Sequence, residues 1–448
     1  MREKWGSRFG FIMATAGFSI GLGNIWRFPF VVGQNGGGAF LLVYVGFALL
    51  IGVPLLTAEI SLGRKAQRTP ITGMSRLTGK VTSPWNLIGW LGIGALVLIM
   101  SYYLMIIAWV VAYFVKMLSG ELAGLTPEAA KETYSAFVAQ PLPILAYTLL
   151  IIVLLAGVVG RGLHKGVENI SSVAMPLLFL LLLALAARSL TFSGAGEGLA
   201  WYLKPDVSRL TPGAILAALG QAFYSIGIGM AVAFSFGSYL SRTQSDVPGD
   251  AALVVASDTL VAFIAGLVIF PALFAFGLEP DSGAGLLFQT VPALCNLMPF
   301  GQIFGGLFFF LMIIAGLTSA VAAFEVLSTT LTDSLKMSRK IAVWVVALGL
   351  FLLSTPVILS QGPWAHLRVG DMDLFSLVDT ISANYLLAVG ALLLSLYTTF
   401  VWGFESFRKD TNTGSGRFRV LGFWKLPIRL LIPIAVLVIL LAGLGVFT

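Results

Sequence analysis

The sequence predicts an all-α integral membrane protein with eleven transmembrane helices, built as two inverted repeats, and three observations lead there. First, 58% of the 448 residues are hydrophobic, 10% are charged and the mean hydropathy is +0.95, values far from those of soluble domains. Second, the apolar residues fall into runs of the length a bilayer core requires, about 20 residues each. Third, the first and sixth runs are interrupted by glycine clusters five runs apart, a pattern that points to inverted repeats with a binding site near the midplane. Helices follow, because lipid offers the backbone N–H and C=O groups no partner outside their own segment.

In chain order the runs cover residues 9–34, 38–63, 84–117, 142–160, 166–188, 212–240, 250–277, 303–331, 340–359, 374–404 and 428–447. Residues 9–188 are read as the first repeat, 212–404 as the second and 428–447 as an eleventh helix, all in one domain over 1–448. With a cytoplasmic N-terminus, 20 of the 27 lysines and arginines face the inside, at Arg2, Lys4, Arg8, the 64–80 and 161–165 loops, Arg242, the 336–340 loop and six positions from Arg408 to Arg429. This places the C-terminus outside, and the +7 net charge then reflects membrane topology and no nucleic-acid partner. Residues 1–8 are short and basic, and the run after them is too long and glycine-rich for a signal-peptide core, so it should stay as a span. The loops at 118–141, 189–211, 278–301 and 360–373 are expected outside, and Glu279–Pro299 is apolar enough to be a lid. One cysteine, Cys295, and two histidines, His164 and His366, leave no ligands for a disulfide framework, a zinc cluster or haem. Neither histidine lies in a span core, so the nucleophile and base of a membrane enzyme are missing as well.

The first break reads "SIGLGNIWRFP" from Ser19 to Pro29, and the second "FYSIGIGMAVAF" from Phe223 to Phe234. Glycine costs about 1 kcal/mol in a helix relative to alanine, so Gly17, Gly21 and Gly23 in one span and Gly227 and Gly229 in the other favour unwinding. Unwound backbone frees carbonyls for cations and amides for a carboxylate. Close helix packing explains a lone glycine pair; two breaks flanked by polar side chains favour a site. A channel would repeat one filter by symmetry, whereas these breaks differ in sequence and suit a single asymmetric substrate.

Five stretches then carry a resemblance: "GLGNIWRFP", "NGGGAF" at Asn35–Phe40, "SYY" at Ser101–Tyr103, "KGVENISSVAMP" at Lys165–Pro176 and "AGLTSA" at Ala315–Ala320. In this order, from Trp5 to Glu405, the chain resembles the neurotransmitter:sodium symporter family, and within it the bacterial hydrophobic amino-acid transporters with the fold of the bacterial leucine transporter. The resemblance implies a five-plus-five helical core with discontinuous helices 1 and 6. That transporter has twelve spans, so eleven here bear on oligomer contacts; a monomer or weak dimer in the plasma membrane is expected.

The resemblance also implies two sodium ions. The first would be held by the Ser19 carbonyl, Asn24, Ser225, Asp258 and the substrate carboxylate, and the second by the carbonyls of Gly17, Ile20 and Ala315 with the hydroxyls of Thr318 and Ser319. These are the oxygen donors a hard cation takes. Asp258 departs from the asparagine usual in the family. With Ala262 where the leucine transporter has a glutamate, Asp258 becomes the source of the negative charge that chloride supplies in relatives, and Tyr44, Gln221 and Ser225 line a vestigial anion site. No chloride requirement is therefore expected. An ionisable residue in a span is functional by default, and Asp258 is expected to take up a proton when sodium leaves, giving proton counter-transport. Glu59 and Glu325 are read as structural acceptors for unwound backbone.

Gly21 stands where the family's monoamine carriers place an aspartate, which leaves room for a substrate carboxylate. That carboxylate would meet the amides of Leu22 and Gly23, the Tyr103 hydroxyl and the first sodium. The amine would meet carbonyls of Ser19, Tyr224, Ser225 and Gly227. The side-chain pocket maps to Ile99, Tyr224, Gly227, Met230, Ser319 and Ala323, and methionine repacks easily, so aliphatic and aromatic L-amino acids should both fit. Family gates map to Arg27 with Asp373 on the outside, over Tyr103 and Tyr224, and to Arg2 with Asp333 on the inside, supported by Trp5 and Tyr239. Gly166 and Pro176, with nine residues between them, match a place where the fifth span can unwind to let water reach the second sodium. The function implied is sodium-coupled import of hydrophobic L-amino acids by alternating access; a carrier of a betaine, taurine or a β-amino acid is the alternative.

Overall fold

The computed structural model describes residues 3–241, 246–277, 287–414 and 416–443. Its helices, in chain order, are α1 (Arg8–Ser19), α2 (Gly23–Gln34), α3 (Gly38–Ala66), α4 (Pro70–Thr78), α5 (Pro84–Leu118), α6 (Pro127–Val138), α7 (Pro141–Val159), α8 (Leu163–Ser189), α9 (Ala195–Leu203), α10 (Pro212–Ile226), α11 (Val232–Gly237), α12 (Val247–Ala275), α13 (Thr290–Leu297), α14 (Gly301–Leu335), α15 (Arg339–Leu359), α16 (Leu374–Val401), α17 (Phe404–Thr411) and α18 (Gly422–Leu441). Two-residue strands at Arg368–Val369 and Met372–Asp373 form the only sheet among the described residues.

Nine of these helices are long and apolar enough to cross a membrane, and the pair α1 and α2, bent by 51° across a short break, makes a tenth crossing. The expected sixth span, 212–240, is two helices too short to cross alone, α10 and α11. A count of eleven therefore depends on joining them across residues 227–231. Helix α10 ends because Gly227 (φ 72°) turns left-handed, and Gly229 (φ 80°) and Ala231 (φ 64°) continue the excursion. An L-residue avoids that region, so Ala231 is held there by its surroundings. Glu59 supplies some of the missing helical acceptors, taking hydrogen bonds from the amides of Gly229 (3.1 Å) and Phe234 (3.4 Å), which satisfies buried backbone that would otherwise be orphaned.

The core is a set of glycine-faced contacts around α5 and α14, which pack against each other along their length, while α1 lies against α8, α12 and α14. A Cβ at Gly63 would sit 1.8 Å from the Phe234 carbonyl, so α3 and α11 meet backbone to backbone. The fifth span is helical in this structure: α8 opens with a wide turn over Leu163–Glu168, which contains Gly166, and carries Pro176 within it. Arg2, Arg242, Glu279 and the C-terminal Thr448 lie outside the described residues. Of the expected lid, Phe288 is buried and stacks on Tyr134 with ring centroids 5.5 Å apart, and α13 packs on α6 and α14.

Candidate functional site

The two breaks meet in the middle of the bundle and bring three predicted ion ligands together. The Asn24 amide donates to a carboxylate oxygen of Asp258 (2.7 Å), to its carbonyl (3.1 Å) and to the Ser225 hydroxyl (3.0 Å). Ser225 donates to Asp258 (2.9 Å), and the Tyr44 hydroxyl approaches Ser225 (3.3 Å) and Asp258 (3.4 Å). Asp258 is fully buried, and among the described residues no lysine or arginine pairs with it. A buried carboxylate lacking a cationic neighbour is costly, so this oxygen cluster fits a small cation. Ser19, just before the first break, donates to the Ile226 carbonyl (3.0 Å) and ties the two breaks together. Gln221 is buried and neither of its amide atoms has a partner.

The second cluster is richer in acceptors. Ser319 Oγ lies 3.0 Å from the carbonyl oxygens of Gly17 and Phe18, 3.2 Å from that of Ala315 and 3.4 Å from that of Ile20. Thr318 Oγ1 lies 3.0 Å from the carbonyl of Ile314 and 3.1 Å from that of Ala315. One hydroxyl hydrogen satisfies one acceptor, so Ser319 cannot donate to all four of the carbonyls that converge on it. That excess of oxygen is what a sodium ion would neutralise. All five predicted residues, Gly17, Ile20, Ala315, Thr318 and Ser319, are present in this cluster, and Phe18 joins them.

Between the clusters lies a cavity with about 490 Å³ of atom-free space, whose lining includes Ser19, Gly21, Gly23, Ile99, Tyr103, Tyr224, Ser225, Gly227, Met230, Ser319 and Ala323. These are the predicted substrate residues apart from Leu22, whose amide instead donates to the Tyr103 hydroxyl at 3.3 Å. A Cβ at Gly21 would fall 2.8 Å from Ser319 Oγ and 2.9 Å from the Tyr103 hydroxyl, so glycine keeps this end of the cavity open. Phe18, Leu96 and Met100 also line it. Leu96, Ile99, Met100 and Tyr103 follow the i, i+3, i+4, i+7 spacing of one helix face, a signal by which two of the three were findable.

On the Arg27 side the structure does not bring the expected pair together. Asp373 caps α16, accepting from the Ser376 amide (2.7 Å) and from Gln361 (2.9 Å). Burial alone would raise its carboxyl, but these hydrogen bonds outweigh burial and hold it below the usual value. Arg27 instead stands 4.2 Å from the centre of the Tyr224 ring. The acidic residue facing the cavity roof is Asp379, which accepts from Tyr102 at 2.8 Å. Asp373 precedes the apolar run whereas Asp379 lies inside it, and a carboxylate inside a span was the stronger signal.

On the opposite side, Trp5 donates to the Phe236 carbonyl (3.0 Å) and meets Tyr239 edge-on, with centroids 6.1 Å apart. Tyr239 joins Glu325 (3.0 Å) and Thr329 (2.9 Å). Glu325 also pairs with Arg339, so it binds side chains and not the unwound backbone expected of it. Asp333 accepts from the Thr69 amide (2.8 Å) and lies 3.7 Å from Arg68; its predicted partner Arg2 is among the residues not described.

Comparison with known proteins agrees with this geometry. The profile of the "Sodium:neurotransmitter symporter family" matches residues 2–136 and 139–448. A sodium-dependent transporter of Bacillus subtilis, YhdH, is 38% identical over 99% of this chain and 98% of its own length. The sodium- and chloride-dependent creatine transporter 1 of Oryctolagus cuniculus is 29% identical over 86% of this chain and 67% of its own. Among solved structures, MhsT in complex with L-phenylalanine superposes with a TM-score of 0.90 at 38% identity, covering 99% of this chain and 100% of that one. With two broken helices around an apolar cavity flanked by two oxygen clusters and matches over nearly its whole length to transporters, not enzymes, this chain belongs to the sodium:neurotransmitter symporter family.

Proposed function

We propose that this sodium-dependent symporter imports hydrophobic L-amino acids, aliphatic and aromatic, with two sodium ions and without chloride. The cavity between the breaks carries the reading. One end has the Leu22 amide on the Tyr103 hydroxyl at a glycine-lined break, where a carboxylate fits, and the rest is apolar and flanked by Met100 and Met230, which repack around side chains of different shape. Two separate oxygen clusters suit two ions, and Asp258 places beside the first of them the negative charge that makes chloride unnecessary. The relative solved with L-phenylalanine supports the aromatic part of the range.

In this reading the substrate carboxylate meets the Leu22 and Gly23 amides, the Tyr103 hydroxyl and the first sodium. The amine meets carbonyls of Ser19, Tyr224, Ser225 and Gly227. Sodium bound by both breaks favours the state in which they are held together, and its loss frees them to move, which is the differential binding that alternating access requires. The chain sits in the plasma membrane with its N-terminus in the cytoplasm, as a monomer or weak dimer, and Asp258 carries a proton back once sodium has left.

The test is binding of the twenty amino acids, together with a betaine, taurine, a β-amino acid and creatine, to purified protein in sodium chloride, sodium gluconate and potassium chloride. Tight binding of leucine, phenylalanine and similar side chains in both sodium salts and none in potassium is expected. Equal binding in potassium, a chloride requirement, or preference for a betaine or creatine would overturn the reading.

A further inference from the structure

A second cavity lies away from the broken helices, where the C-terminal ends of α8 and α12 meet α13 and the start of α14. It holds about 540 Å³ of atom-free space, and Leu185, Leu273, Leu294, Cys295 and Phe308 give it buried apolar walls. One cation stands on its wall. The Arg188 guanidinium lies 4.5 Å from the centre of the Phe192 ring and 5.2 Å from that of Phe304, and donates to the Thr191 hydroxyl at 2.8 Å. Among the described residues no carboxylate pairs with it. Leu183, Leu190, Leu297 and Ile303 are exposed on the same elements, so the surface around the cavity is of the kind that faces lipid.

We propose that this cavity binds an anionic phospholipid, with one acyl chain between α12 and α13 and the phosphate on Arg188. An apolar chamber whose cation has no counter-charge among the described residues is complementary to a long apolar tail with a negative head. A guanidinium matches phosphate by paired hydrogen bonds. The transported zwitterion does not suit the chamber, which offers an amine no acceptor comparable to the broken helices. Helix α13 forms one wall, so a chain lodged there sits between it, α8 and α12.

Cys295, the one cysteine of the chain, lies on the cavity wall and reports occupancy. The experiment is the rate of Cys295 alkylation by N-ethylmaleimide in the full-length protein. It is placed in nanodiscs of phosphatidylcholine, of phosphatidylcholine with phosphatidylglycerol of the same chains, or of phosphatidylcholine with oleate. Phosphatidylglycerol should slow the reaction about tenfold by mass action. The slowing should vanish in Arg188→Gln and persist in Arg188→Lys. Rates are compared between lipids within each protein, and Arg188→Lys serves as the control for the fold, because a disrupted cavity would lose the slowing in both variants. The proposal is overturned if phosphatidylglycerol does not slow alkylation, if Arg188→Gln is protected as well as the parent, or if oleate protects and phosphatidylglycerol does not.

Discussion

At the scale of single residues, the proposed function makes Gly21 and Asp258 set what the cavity accepts. A Cβ at Gly21 already crowds Ser319 and Tyr103, and an aspartate there would add a charge facing the substrate carboxylate. Two such charges about 4 Å apart cost about 4 kcal/mol at an effective dielectric constant of about 20, or roughly a thousandfold in affinity. Gly21→Asp should therefore abolish sodium-dependent binding of L-phenylalanine, and undiminished binding would remove Gly21 from the site. Asp258 is wrapped by Asn24, Ser225 and Tyr44, which hold the carboxylate in place and leave it the sole formal charge in the cluster. Sodium-driven uptake into proteoliposomes containing a pH dye, with the potential clamped, should move protons outward for the parent and not for Asp258→Asn. Equal proton movement by the two would assign the proton to another group.

At the scale of elements, the break between α10 and α11 is a structure of left-handed residues held by one carboxylate. Alanine at Gly227 would meet the Phe18 ring at 2.4 Å and adopt a positive φ, a strain of about 1–3 kcal/mol. Gly227→Ala should lower the thermal midpoint and weaken binding. Gly220→Ala on the same helix, where a Cβ meets nothing within 4 Å, should change stability by no more than about 1 kcal/mol. Equal effects of the two would show that the break is not conformationally special. Glu59→Ala removes the acceptor for the amides of Gly229 and Phe234, at about 1–3 kcal/mol for each buried donor left unpaired. Binding should fall more than the thermal midpoint does, because the disturbed backbone lines the cavity.

At the scale of the whole molecule, the broken helices are flanked on one side by Arg27 over Tyr224 with Asp379 beside Tyr102, and on the other by Trp5, Tyr239 and Glu325, which the proposed function reads as its two closures. Opening one side at a time means that each closure contributes only a few kcal/mol, or the alternative state would never be populated. Tyr239→Phe deletes the hydrogen bonds to Glu325 and Thr329, about 1 kcal/mol each. Amide exchange over residues 5–11 should become several-fold faster than in the parent. Unchanged exchange would mean that this closure does not run through Tyr239.

The sequence by itself determined that the chain is a helical membrane protein with two broken spans, because hydropathy and glycine clustering are local properties that bilayer physics reads directly. It also located Gly17, Ile20, Ala315, Thr318 and Ser319, whose motifs keep their spacing, and the structure draws them into one oxygen cluster. Only the tertiary structure decided which charges and rings meet. Asp373 and Asp379 are separated by less than two helical turns, and capping one of them while aiming the other at Tyr102 depends on how α16 leans on α5. Phe18 reached the cavity in the same way, through the direction in which the first break turns its side chain. Glu59 and Glu325 look alike in the sequence, yet one faces unwound backbone and the other a tyrosine and an arginine. Partner choice across helices is a property of packing, and no run of neighbouring residues encodes it.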